Sequence, residues 1–127
     1  MANGASDRSR CFKTKWFSRE ARRALISDRE LCLAIRQVVM GQAVDLGGGV
    51  FKKRLGKNRF RSIILAKGGR NWVYEYLFAK KDLDNISGSD LENFRKLARS
   101  YEGLTEREIG ELVANQDWVE ICNGGSA

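Results

Sequence analysis

Three strand-like runs in the middle of the chain limit what it can fold into. From Gly47 to Lys81 the sequence reads GGGVFKKRLGKNRFRSIILAKGGRNWVYEYLFAKK, with strand-type residues over 50–55, 59–66 and 71–79. Gly56-Lys57-Asn58 separates the first two runs and Gly68-Gly69 the last two, and both read as hairpin turns. The result is a three-stranded antiparallel meander. A two-residue turn at Gly68-Gly69 pairs Lys67 with Arg70, and therefore Leu65 with Trp72, Ile63 with Tyr74 and Arg61 with Tyr76. Strict alternation then gathers Phe51, Leu55, Phe60, Ile64, Ala66, Val73 and Leu77 on one face, with Lys53, Ser62 and Glu75 as polar exceptions. That face should pack on helices. With an even loop in the first hairpin, the other collects Lys52, Arg54, Arg59, Arg61, Tyr74, Tyr76, Phe78 and Lys80.

The same stretch holds ten Lys/Arg and one acid, Glu75, so it carries +9 where the whole 127-residue chain carries +7. A solvated strand face with a few lysines is ordinary. Here cations from three adjacent strands share one face, interleaved with aromatics, and the neutralising acids are missing. That combination points to a polyanion, and to single-stranded RNA over duplex DNA, because no helix is basic enough to read a major groove. The chain has no histidine, which removes the commonest general base and zinc ligand. Cleavage through a ribose 2′-OH remains chemically open. Lysine can serve as base or acid when neighbouring cations lower its pKa, and arginine can hold the phosphate bidentately. Binding without cutting fits the same residues equally well. No metal or cofactor is called for.

Around the meander the chain reads as one α+β domain over residues 11–122, between loose tails at 1–10 and 123–127. CFKTKWF (11–17) reads as a first strand. Ser18 caps a short helix, SREARRAL, and Ser27 with Glu30 forms a capping box for DRELCLAIRQVVM, stopped at Gly41. Residues 42–49 read as a loop, with Gly47-Gly48-Gly49 a flexible strand entry and no phosphate loop, since no GK[ST] follows. Ser89 with Glu92 and Thr105 with Glu108 open two further helices, and WVEIC (118–122) ends the fold as a short strand or an extended segment. Trp16, Trp72 and Trp118 read as core or edge aromatics. No run of 18 apolar residues is present, and MANGASDRSR lacks the apolar stretch of a secretory signal. Cys11, Cys32 and Cys122, an odd number without CxxC spacing, fit free thiols in a reducing cytoplasm.

The order strand, two helices, three-stranded meander, terminal helices resembles the RelE/HigB-like toxins of bacterial type II toxin–antitoxin systems. The local features that carry the resemblance are LGGGVFKKRLG (46–56), RFRSII (59–64), FAKK (78–81) and LENFRKLA (91–98). It implies a small mixed sheet packed against helices and a ribosome-dependent, metal-independent mRNA endonuclease held inactive by an antitoxin. By position it implies catalytic roles for Arg54, Arg61, Lys80 and Lys81 and phosphate contacts for Lys52; the basic, aromatic stretch itself adds Lys53, Arg59, Tyr74, Tyr76 and Phe78 as RNA contacts. One departure is that Ser87 stands where RelE proper has a tyrosine. The same scaffold also hosts ParE-like gyrase inhibitors and would serve a non-catalytic RNA- or protein-binding module.

Overall fold

The computed structural model describes residues 9–68, 70–81 and 86–122. Most of both expected tails, and Gly69 of the second hairpin turn, lie outside the described residues. Ten elements run in the order β1 (Arg10–Thr14), α1 (Lys15–Arg23), α2 (Asp28–Val39), β2 (Val44–Gly47), β3 (Val50–Leu55), β4 (Phe60–Lys67), β5 (Asn71–Ala79), α3 (Gly88–Glu102), α4 (Glu106–Ala114) and β6 (Trp118–Ile121). The strands form a six-stranded mixed sheet in the order β2-β3-β4-β5-β1-β6. All neighbours are antiparallel except β1 and β5. The fold is α+β, as the sequence implies, and of the C-terminal WVEIC the first four residues, Trp118–Ile121, form a strand.

Local chemistry moves several boundaries. Thr14, not Ser18, caps α1: its hydroxyl accepts from the Phe17 amide at 3.0 Å. The helix therefore starts four residues earlier, and the first strand ends where the Thr14 side chain captures that donor. Ser27 caps α2 as expected, accepting from Glu30 N. Glu30 does not complete the box, because its carboxylate instead accepts from Gly56 N at 2.6 Å. Ser87, not Ser89, caps α3, while Thr105 and Glu108 form the expected reciprocal box on α4. Residues 44–47, expected in a loop, form edge strand β2. Gly47, Gly48 and Gly49 are all at positive φ and form a fixed turn into β3. A Cβ on Gly48 would lie 2.8 Å from Cγ of Arg95, so α3 lies directly against this turn. Arg95 also donates to the carbonyls of Leu46 and Gly47.

The expected β4–β5 register is overturned. Lys67 pairs with Asn71, so the loop has three residues, and Leu65 faces Val73 while Ile64 faces Tyr74. A bulge then restores the phase: Ile63 pairs with Tyr76 and Arg61 with Phe78, leaving Glu75 as the extra residue on β5. Ahead of the bulge the expected faces are exchanged. Tyr74, expected to face RNA, is fully buried against Phe17 and donates its hydroxyl to Leu31 O at 2.7 Å. Val73 joins the opposite cluster, with Phe12, Ile109 and Trp118.

The second face of the sheet is not an open platform. α1 and α2 bury Ile64, Trp72, Tyr74 and Leu77 on one side. On the other, α3 buries Val50, Ile63, Leu65 and Phe78, and α4 with β6 covers Phe12 and Val73. The apolar stripe Leu91, Phe94, Leu97, Ala98 and Tyr101 of α3 supplies that cover, as its helical spacing indicates.

Free thiols at all three cysteines are not observed. Cys32 of α2 is disulfide-bonded to Cys122, just after β6, across a sequence separation of 90. Cys11 is free and buried, and burial pushes its thiol pKa up. Closing so long a loop restricts the unfolded chain strongly, so reduction, Cys32→Ser or Cys122→Ser should each cost about 2–4 kcal/mol. Denaturant melts with and without a dithiol reductant check this, and the Cys32→Ser protein should no longer respond to the reductant.

Glu75 gives a pH signature. It is half-buried at the bulge and accepts from the Tyr101 hydroxyl at 2.7 Å. Burial raises its pKa, against the lowering effect of that hydrogen bond. Below the unfolded-state pKa both states are protonated and nothing is lost. As pH rises from there through the folded-state pKa, the unfolded chain ionises first and stability falls. Glu75→Gln keeps an acceptor for Tyr101 and should raise Tm at pH 7–8, with the gain vanishing near pH 4.

Candidate nucleic-acid interface

The cations that the sequence places on one face are gathered by the structure at one end of the meander, where the cover from α3 stops. The β3–β4 turn is built from three successive left-handed residues, Gly56, Lys57 and Asn58, at φ 61°, 56° and 72°. Holding Lys57 there costs about 1 kcal/mol, a penalty that glycine and asparagine largely escape. The turn is fixed from outside by the Glu30 carboxylate on Gly56 N. Arg59 Nε donates to Gly56 O at 3.3 Å, and Lys80 N donates to Arg59 O at 2.9 Å, tying the end of β5 to the same turn. Lys57, Asn58, Arg59, Phe60, Ala79, Lys80 and Lys81 line an open cleft of about 700 Å³. Its four cations form no ion pair among the described residues.

Arg54 and Arg61 lie beside this cleft. They are direct register partners on β3 and β4, with Phe78 next in the row on β5. Nη1 of Arg61 donates to the carbonyls of Asn58 and Phe60, both at 3.1 Å, which bends the guanidinium toward the turn. Arg54 is exposed. Like charges directly opposite one another in a sheet repel, and no carboxylate pairs with either arginine among the described residues. An anion placed between them would remove that repulsion.

The remaining expected site residues divide. Lys52 sits in the next row, between Val44 of β2 and Ile63 of β4, on the Arg54 side of the sheet. Lys53 faces the other side and donates Nζ to Gln42 O at 2.9 Å; burial, then the Arg54 charge, lowers its pKa. It anchors the loop before β2 and is turned away from the cleft. Tyr76 is half-buried, Phe78 lies mostly under α3, and Tyr74 is in the core. The Ser87 hydroxyl is taken by Asp90 N as a helix cap.

Two contributors were not read from the sequence. Lys57, seen only as a turn residue, lines the cleft. Trp16, read as a core or edge aromatic, is 38% exposed and stacks on Tyr76, with ring centroids 5.1 Å apart and planes 9° apart. The earlier start of α1 puts it there, and Thr14 two residues upstream was the available signal.

The family model described as "RelE toxin of RelE / RelB toxin-antitoxin system" matches residues 9–121. The chain belongs to the RelE toxin family. The match spans the sheet from β1 to β6 and includes all ten elements described above. No curated protein and no solved structure matches the chain. RelE membership makes the chain a toxin of a toxin–antitoxin system and implies an antitoxin as its partner. No helix among the described residues is long and apolar enough to cross a membrane.

The Glu30 contact ties helix α2 to this RelE-family cleft. Glu30→Ala should cost about 1.5–3 kcal/mol, the range for a hydrogen bond to a charged group, and should loosen the turn carrying Lys57 and Arg59. Faster amide exchange at Gly56 and Arg59, with β5 exchange unchanged, would report the local effect.

Proposed function

We propose that the chain is an endoribonuclease toxin that cuts mRNA on the ribosome through the ribose 2′-OH, in the cytoplasm, and that its antitoxin blocks this activity. The observation that carries the reading is the Arg54–Arg61 pair. Two guanidinium groups without a carboxylate partner among the described residues lie opposite each other on adjacent strands, beside a cleft with four further cations. Such an arrangement is unfavourable in the empty protein and complementary to a phosphate that gains charge in a transition state.

In the proposed reaction a lysine amine accepts the 2′-OH proton. The 2′ oxygen attacks the adjacent phosphorus, and the bond from phosphorus to the 5′ oxygen breaks. A second ammonium group donates a proton to that leaving oxygen, giving a 2′,3′-cyclic phosphate and a 5′-OH. Lys80 or Lys52 is assigned as base or phosphate clamp, Arg54 and Arg61 hold the phosphorane charge, and Lys81 is the acid or clamp. Tyr76 offers a ring edge for a base next to the cleft.

Arg61→Ala and Arg54→Ala should each lower cleavage by about 10²–10³-fold, the scale for losing one donor to a developing anion. Arg54→Ala should also hold or raise Tm, since it removes a repulsion. The measurement is induced expression in a bacterial host with mapping of mRNA 5′ ends, beside melting of the purified variants. New in-frame ends lost in both variants support the reading. Growth arrest with intact mRNA and a DNA-damage response would replace it with gyrase inhibition, and unchanged cleavage in Arg61→Ala would remove the site assignment.

A further inference from the structure

We infer that the groove between α1 and the free edge of β5 holds one unpaired nucleobase of a single-stranded RNA, stacked on Trp16. The inference rests on the proposed reading of RNA as ligand and adds to it a second subsite outside the cation cleft.

Helix α1 divides its residues by the 3.6 period. Phe17 and Ala21 enter the core, while Trp16, Glu20 and Arg23, at i, i+4 and i+7, line a groove of about 480 Å³. Phe60, Leu77, Phe78 and Ala79 line it from the sheet, and Tyr76 lies against Trp16 itself. Of the three tryptophans, Trp72 and Trp118 are 7% and 4% exposed, whereas Trp16 keeps 38% of its surface open. Tyr76 backs it in a near-parallel stack and is itself held by Phe78 and Phe94, at 6.0 and 5.8 Å. An aromatic held by a stack and partly open at a groove is the arrangement on which unstacked bases settle.

The edge supplies the polar half of the site. β1 pairs with β5 only as far as Lys13 opposite Tyr74, because Thr14 diverts the chain into α1. From Glu75 to Ala79, β5 has no strand on that side among the described residues, so main-chain donors and acceptors lie beside the groove where a base edge would sit. Phe60 and Ala79 line both this groove and the cation cleft, which makes the two neighbours. A phosphate held among Lys57, Arg59, Lys80 and Lys81 therefore places a neighbouring base at the groove mouth. That adjacency to a cluster of cations favours a nucleotide over a peptide strand added to the same edge.

The test uses the full chain and a short oligonucleotide of 2′-O-methyl residues, which cannot be cut through the 2′ oxygen. Titration should quench tryptophan emission saturably, with affinity falling as salt rises. Trp16→Ala should weaken binding about 5- to 100-fold, the range for losing one base–aromatic stack, and abolish the quench, while Trp16→Phe should recover most of the affinity. Circular dichroism melts establish that both variants fold. Since no cleavage is involved, the result stands even if the nuclease reading falls. Binding with equal affinity in wild type and Trp16→Ala overturns the subsite alone. No binding in any variant overturns it together with the RNA reading. Trp16 emission that responds to purified antitoxin and not to the oligonucleotide makes the groove a peptide site and overturns the proposal.

Discussion

The extra residue in β5 is the constraint on which the rest of the molecule depends. β5 is bonded on one side to antiparallel β4 and on the other to parallel β1, so a change of phase within it is felt across the sheet. Before Glu75, even-numbered residues face α1 and α2, and Trp72 and Tyr74 fill that core. After it, even-numbered residues face the arginines, and Tyr76 and Phe78 flank them. One inserted residue lets a single strand supply core on one side and a site wall on the other. The cost is a half-buried carboxylate, which Tyr101 partly compensates.

The sequence made the architecture legible wherever local chemistry and pattern agreed. The meander, the two C-terminal helices, the apolar stripe of α3 and the capping box at Thr105 all follow from spacing and side-chain donors. What it concealed has physical reasons. A bulge breaks period-2 alternation without leaving a mark in composition, so Tyr74 was assigned to the wrong face. Ser18 has the chemistry of a helix cap, but Thr14, four residues upstream, has it too and takes the role where β1 ends. β2 is four residues long and gains order by pairing with β3, not from its own propensity. The Cys32–Cys122 bond joins residues 90 apart, a separation at which the spacing of cysteines carries no information.

For the site, charge was legible and orientation was not. Arg54, Arg61, Arg59, Lys80 and Lys81 do lie at one end of the meander, as the excess of cations indicated. The sheet face itself is closed by α3, because Val50, Ile63 and Leu65 alternate with those cations and need apolar cover. Function is thereby confined to the margin where apolar residues give way to arginine. Lys53, one residue from Arg54, belongs to the opposite side and serves the loop before β2.

The placing of β1 also bears on how the chain reaches its final form. The first strand lies between β5 and β6, so its pairing joins the first and last strands of the described sheet. Contacts of such long sequence separation form late and slow the search for the native state. During synthesis the meander bearing the cations emerges well before Trp118–Ile121 is made. The last strand added thus decides when the toxin exists as a folded object, and a chain that stops short of it leaves β1 with one open edge.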